Sequence, residues 1–303
     1  MSAEVNPKIS RLYADVPEES LKRLQVFRES YPYQSISLSG IEWQYIDSGP
    51  GKKPLFIPAG GTSIAEVSFF SLEHFAQQFR VISPDYPAIE ELDVLFSGFM
   101  ELLDYLGVEQ FYTMGGSYGG WMVQSLVRQF PERIAKMVIT AVGPPDSKNS
   151  QEIARLMGWF RITPTFLLRW MLNKSFARLE SNLSGNPDLV LLWALVNEAI
   201  NFRLEKADIL ALMQRLVDQT ETYTFSPEDL ADWPGRILLV FGSDDPATPL
   251  EKREAMQQLY PQAEVKVFEG GEHGIAITHQ QEYFAVIDEF LAGLPSDGND
   301  VSE

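Results

Sequence analysis

From Ser35 onward the chain alternates between two kinds of apolar pattern. Ile41 to Ile46 (IEWQYI) switches between apolar and polar residues, the period of a strand with one buried face. Leu55-Phe56-Ile57, Arg80 to Ser83, Phe111 to Met114 and Met137 to Ala141 are short apolar runs, as expected of strands buried on both faces. Between them lie segments with helical spacing. Val67 to Phe79 is one. Leu95, Phe99, Leu102, Leu103 and Leu106 mark a second, stopped by Gly107, and Tyr118 to Phe130 is a third, with Pro131 just beyond. Pro7, Pro17 and Pro32 argue against a long helix near the start.

Strands separated by helices predict a parallel sheet with helices on both faces. The alternation stops between about Pro145 and Phe225, where aromatic-rich helical runs replace it: Met157 to Leu172, Leu189 to Phe202 and Ile209 to Val217. It resumes with a strand at Arg236 to Phe241, a helix at Glu251 to Leu259, a strand at Glu264 to Phe268 and a helix at Gln281 to Leu291. The pattern therefore predicts an α/β core from residues 1–145 and 226–303, interrupted by a helical insertion over 146–225. Ser296 to Glu303 reads as a frayed tail.

Composition then removes whole classes of chemistry. There is no cysteine, which excludes disulfides, thiolate nucleophiles and iron–sulfur clusters. Lys and Arg number 24 against 42 Asp and Glu, a net charge of −18, so phosphate backbones and anionic membranes are expected to repel the chain and nucleic acid is not expected as a partner. Met1 to Ser10 carries no apolar stretch, and the longest apolar run, Leu189 to Val196, is too short to span a bilayer. A cytoplasmic protein without a signal peptide is expected. No G-x-G-x-x-G, G-x-x-x-x-G-K-[ST] or H-E-x-x-H occurs, so neither a nucleotide cofactor nor zinc is expected.

The run Gly115-Gly116-Ser117-Tyr118-Gly119-Gly120 is a G-x-S-x-G placed between a buried strand and an amphipathic helix. A serine there sits on a sharp turn, with glycines on either side so that strand and helix can approach. Ser117 is the candidate nucleophile. A serine hydroxyl needs a base to take its proton, usually a histidine held by a carboxylate. Of the three histidines, His273 lies in a loop directly after the strand ending at Phe268 and is the candidate base. His74, inside a helix, and His279, at the head of the last helix, are expected to be ordinary surface residues. Asp244 and Asp245 follow the strand ending at Phe241, at the sheet edge where open α/β sheets place their sites. Asp146, after the strand ending at Ala141, is a third candidate acid.

The order Ser, Asp, His along the chain is that of α/β-hydrolases. From about Ser35 to Leu291 the chain resembles this family, through Phe56-Ile57-Pro58-Ala59-Gly60-Gly61, Arg80 to Asp85, the GGSYGG turn, Phe130-Pro131-Glu132-Arg133-Ile134, Gly242 to Pro246 and His273. The resemblance implies an eight-stranded, mostly parallel sheet with a helical cap after strand six. It also implies Asp245 as the acid, with Asp244 as the alternative, and an oxyanion hole formed by the backbone N–H groups of Gly61 and Tyr118. Two departures stand out. Ala59-Gly60 replaces the family's usual His-Gly, and Asp85-Tyr86-Pro87 runs almost directly into a helix where many members have Arg-Gly-x-Gly. The second departure resembles the maspardin branch, whose namesake resembles a binding protein with an incomplete triad; this chain keeps all three positions.

These readings point to a cofactor-independent serine hydrolase acting on a small acyl substrate, foremost a carboxylic ester with a hydrophobic group. An acyl transferase, an aminopeptidase similar to proline iminopeptidases, and a non-catalytic binding protein are the alternatives. The insertion's aromatics, Trp159, Phe166, Trp170, Phe176 and Trp193 among them, are expected either to pack the cap or to roof an apolar pocket. Glu198 and Glu205 are the carboxylates that could instead hold a substrate ammonium.

Overall fold

The computed structural model describes residues 7–145, 147–177 and 186–293, apart from the side chains of 147–149 and 222. Asp146 and the tail from Ser296 lie outside the described residues. Helices α1 (Pro7–Leu12) and α2 (Glu18–Ser30) precede a hairpin of β1 (Gln34–Leu38) and β2 (Ile41–Asp47). Then come β3 (Pro54–Phe56), α3 (Phe69–Phe75), β4 (Arg80–Pro84), α4 (Leu92–Tyr105), β5 (Phe111–Gly116), α5 (Tyr118–Gln129) and β6 (Ile134–Thr140). Four helices follow: α6 (Ser147–Ile162), α7 (Thr165–Ala177), α8 (Pro187–Glu198) and α9 (Lys206–Thr222). The chain closes with β7 (Arg236–Gly242), α10 (Leu250–Leu259), β8 (Glu264–Phe268), α11 (Ile275–Thr278) and α12 (Gln280–Ala292).

The eight strands form one sheet in the order β1-β2-β4-β3-β5-β6-β7-β8. β2 runs antiparallel to β1 and β4, and the pairs from β4–β3 through β7–β8 are parallel. This is the expected α/β-hydrolase architecture. The apolar runs are continuous because both faces are covered. Phe111, Ile237, Leu239 and Phe241 face a core shared with α4 and α5, while Tyr112, Met114, Leu238 and Val240 face a second core with α3 and α12. The parallel strands share one carboxyl edge, so the loops after β3, β5, β7 and β8 gather there.

The prolines near the start do break the helical stretch, into pieces: α2 begins directly after Pro17, carries Glu18 and Glu19 in its first turn, and ends before Pro32. Buried Leu24 and Phe27 seat it. Two local expectations are corrected. The run Met157 to Leu172 is not one helix but α6 and α7, parted at Thr163-Pro164. Pro164 lacks the N–H that continuation needs, and Thr163 Oγ1 donates back to the Trp159 carbonyl at 2.8 Å. The stretch Val67 to Phe79 is α-helical only over α3, Phe69–Phe75, which a short 3₁₀ turn, Ala65–Ser68, leads into.

Candidate active site

At the turn from β5 to α5, Ser117 has φ 52° and ψ −124°, a backbone state that costs an L-residue about 1–3 kcal/mol. The surroundings leave no alternative. A methyl group on Gly115 would overlap the Gly119 carbonyl, and one on Gly119 would lie 2.8 Å from the Pro58 oxygen. Strand and helix therefore touch backbone to backbone. The Ser117 N–H donates to the Thr140 carbonyl at 2.9 Å, which ties the turn to β6.

His273 follows β8, and its Nδ1 lies 3.1 and 3.0 Å from the two carboxylate oxygens of Asp245, in the loop after β7. Asp245 is 2% exposed. It also accepts from the Ala247 N–H and from the Thr248 hydroxyl, at 2.8 and 2.7 Å. Burial alone would raise its carboxyl, but the hydrogen bond and charge of His273, with those two further donors, outweigh it and hold Asp245 below the ordinary carboxylate range. The neighbouring Asp244 is exposed and accepts from the Ser243 hydroxyl at 2.7 Å. Thus Asp245, and not Asp244, is the residue brought to His273. The other histidines are half-buried, not simple surface residues. His74 Nε2 is 2.8 Å from Asp288 and its ring stacks on Phe284, while His279 Nδ1 is 3.0 Å from the Thr278 hydroxyl.

Ser117 and His273 share the wall of a cavity of about 220 Å³. The loop after β3 contributes Gly60 and Gly61; α7 contributes Phe176, and α8 contributes Leu192, Trp193 and Val196. Among the described residues, no Asp, Glu, Lys or Arg lines it. Tyr283 adds a phenol, pushed up to about 12 by burial and paired with the Thr140 hydroxyl at 3.1 Å. Gly61 faces the insertion so closely that a methyl group there would sit 3.1 Å from the Phe176 ring. Tyr118 is the first residue of α5, so its N–H has no partner within the helix. Glu198 and Glu205 are both committed elsewhere. Glu198 accepts from the Tyr13 hydroxyl and lies 3.5 Å from Arg28, while exposed Glu205 caps α9. Among the described residues, no group of three or more His, Asp or Glu is placed to hold a metal ion.

A residue that the sequence reading passed over stands behind the site. Arg215, on α9, is fully buried. Its Nε donates to the Tyr118 hydroxyl at 2.9 Å, one terminal nitrogen donates to the Ser63 hydroxyl at 3.0 Å, and the other to the Ile89 carbonyl at 2.7 Å. Burial keeps the Tyr118 phenol above its ordinary value, so it meets the guanidinium as a neutral acceptor. Ser63 lies two residues past Gly61 and is itself left-handed at φ 58°. One cation on the insertion thus braces both backbone segments that flank Ser117.

Residues 99–280, more than half of the chain, match the family model described as alpha/beta hydrolase fold. Maspardin from Danio rerio is 28% identical over 250 residues, covering 78% of this chain and 75% of that protein. The 2-hydroxy-6-oxononadienedioate/2-hydroxy-6-oxononatrienedioate hydrolase of Paraburkholderia phymatum is 25% identical over 273 residues, covering 82% and 90%. Among solved structures, a thermophilic esterase from Thermogutta terrifontis superposes with a TM-score of 0.68 at 19% identity, covering 87% of this chain and 99% of that one. At that identity the likeness concerns the fold alone.

Replacing Arg215 by Met is expected to leave the Ser63 and Tyr118 hydroxyls and the Ile89 carbonyl in a dry interior without their donor. That costs about 3 kcal/mol and lowers the melting temperature by roughly 5 °C or more. Arg215→Lys should recover only part of the loss, because an ammonium cannot reach three partners in a fixed fork. Calorimetric melts of the two variants check this; an unchanged midpoint for Arg215→Met would contradict it.

Proposed function

The chain belongs to the alpha/beta hydrolase fold family, and we propose that it is a serine hydrolase that cleaves a small, uncharged carboxylic ester through an acyl-enzyme on Ser117. The observation that carries this reading is the hydrogen-bonded Asp245–His273 pair opening onto the same apolar cavity as a strained serine.

In this reading Ser117 Oγ forms a bond to the carbonyl carbon while His273 Nε2 takes the hydroxyl proton. Nδ1 is already engaged by Asp245, which fixes the tautomer and offsets the charge that the ring acquires. The carbonyl oxygen becomes an alkoxide and accepts from the N–H groups of Gly61 and Tyr118, each donor contributing about 3 kcal/mol. Collapse re-forms the carbonyl and breaks the ester C–O bond, and the alcohol leaves with the proton held by His273. Water, deprotonated by the same imidazole, then attacks the acyl-enzyme and releases the acid.

The cavity's lack of charge selects among acyl compounds. The bacterial relative is named for a dienedioate, a dianion. Burying such a group without a cation costs several kcal/mol, and the described wall offers no Lys or Arg to pair with it. An α-ammonium, the handle of an aminopeptidase substrate, lacks a carboxylate for the same reason. Phe176, Leu192, Trp193 and Val196 instead suit an apolar acyl or alcohol group. The modest volume favours short chains.

Three outcomes are expected. Ser117→Ala should lower kcat for p-nitrophenyl butyrate at least about a thousandfold with an unchanged melting temperature, since the glycines and not the hydroxyl set the turn; a variant as active as the parent would falsify the nucleophile, and an inactive parent would favour a binding role. Asp245→Asn should cost on the order of a hundredfold or more in kcat, against about twofold at most for Asp244→Asn; steady-state kinetics of the pair decide, and the reverse ranking would move the acid to Asp244. Short p-nitrophenyl esters should be turned over faster than proline or alanine p-nitroanilides. Faster anilide cleavage that disappears in Glu198→Gln would make the protein an aminopeptidase.

A further inference from the structure

We propose that the α6–α7 hairpin is a docking surface for an anionic lipid interface. Seven of the thirteen large apolar side chains exposed among the described residues fall between 156 and 171. Trp159 is 58% exposed, Ile162 77%, Phe166 68% and Trp170 57%. These aromatics were expected to pack the insertion or roof the pocket, and they do neither. The helices are nonetheless seated, because Met157, Phe160, Leu168 and Leu172 are buried on their inner sides. The outward residues therefore form a second, separate stripe. Ile162 and Phe166 flank the Thr163-Pro164 turn, Trp159 lies about one helical turn before it and Trp170 less than two turns after it. Contiguous apolar surface of this kind is uncommon on a monomer and marks a contact site.

Charge identifies the occupant. Residues 150–177 hold four cations, Arg155, Arg161, Arg169 and Lys174, against the single carboxylate Glu152, in a chain whose net charge is −18. Arg155, Arg161 and Lys174 are exposed. Lys174 Nζ lies 5.5 Å from the centre of the Trp170 ring, and the Arg161 guanidinium lies 3.5 Å from Glu90. Tryptophan, phenylalanine and isoleucine rimmed by Lys and Arg are the composition of helices that lie in the headgroup region of a bilayer. A symmetric contact between two copies of this face would press cation against cation. The negative remainder of the chain does not forbid docking, since exposed charges are screened beyond about 8 Å at physiological salt. The same helix α7 carries Phe176 into the cavity wall, less than two turns past Trp170. A docked hairpin would bring the cavity close to the interface.

Flotation of the full chain with vesicles tests this. Binding to vesicles containing phosphatidylglycerol is expected, with a blue shift in tryptophan emission, loss at high salt, and no binding to pure phosphatidylcholine. The double variants Trp159→Ser/Trp170→Ser and Arg155→Glu/Lys174→Glu should each weaken binding about tenfold or more. Their melting temperature and their hydrolysis of a soluble ester should stay at the parent's values, which separates failure here from failure of the hydrolase reading. Absence of binding to both vesicles, or equal binding to both, would overturn the proposal. So would a doubled molar mass without lipid that Trp159→Ser/Trp170→Ser abolishes, since the face would then be a self-association surface.

Discussion

At the junction of β5 and α5 three segments converge on a space that holds only bare backbone. Gly115 meets the Gly119 carbonyl, Gly119 approaches Pro58 at the end of β3, and a methyl group on Gly120 would come within 2.7 Å of Val142 beyond β6. This crowding bends the chain through Ser117 and leaves that residue in a state it would not adopt unaided. The cost, about 1–3 kcal/mol, is offset by the sheet on one side and the buried face of α5 on the other. The same convergence sets Gly61 and the first N–H of α5 beside the serine, so the proposed nucleophile and the candidate oxyanion donors arise from one packing constraint.

A second layer of interactions fixes the insertion over that junction. Arg215 reaches down from α9 to Tyr118 and Ser63, and Arg203, just past α8, pairs with Asp85 at 2.7 Å after β4. Asp85 also accepts from the Tyr33 hydroxyl and the Ala65 N–H. Burial holds its carboxyl above the ordinary value despite Arg203. Removing one partner of a buried pair costs more than the pair itself contributes. Loss of either arginine would therefore leave polar partners of the core unpaired, Tyr118 and Ser63 for Arg215 and Asp85 for Arg203.

Much of this was legible in the sequence because period and glycine spacing are local signals. The buried strands, the GGSYGG turn and the loop histidine each announce themselves within about six residues. What was missed depends on distant partners. β1, mostly exposed and at the sheet edge, has no apolar run to betray it. Arg215 gave a faint signal, a charge in line with Ile209 and Leu212 on an otherwise apolar helix face, but its meaning rests on Ser63 and Tyr118 far away in the chain. Asp245 was given ahead of Asp244 by resemblance alone, because which side of the loop faces His273 is not fixed by local spacing. Trp159, Phe166 and Trp170 were misjudged, while Phe160 packs and Phe176 lines the cavity, because composition tells that a residue is apolar, not which way its helix turns it.

The central claim is that Ser117 is a nucleophile activated by His273, and it is tested most directly by where a covalent label lands. Reaction with a fluorophosphonate, followed by peptide mapping by mass spectrometry, should place one adduct on the peptide containing Ser117. His273→Ala should slow that labelling on the order of a hundredfold or more while the fold is retained. An adduct on another residue, or labelling of Ser117 as fast in His273→Ala as in the parent chain, would contradict the account.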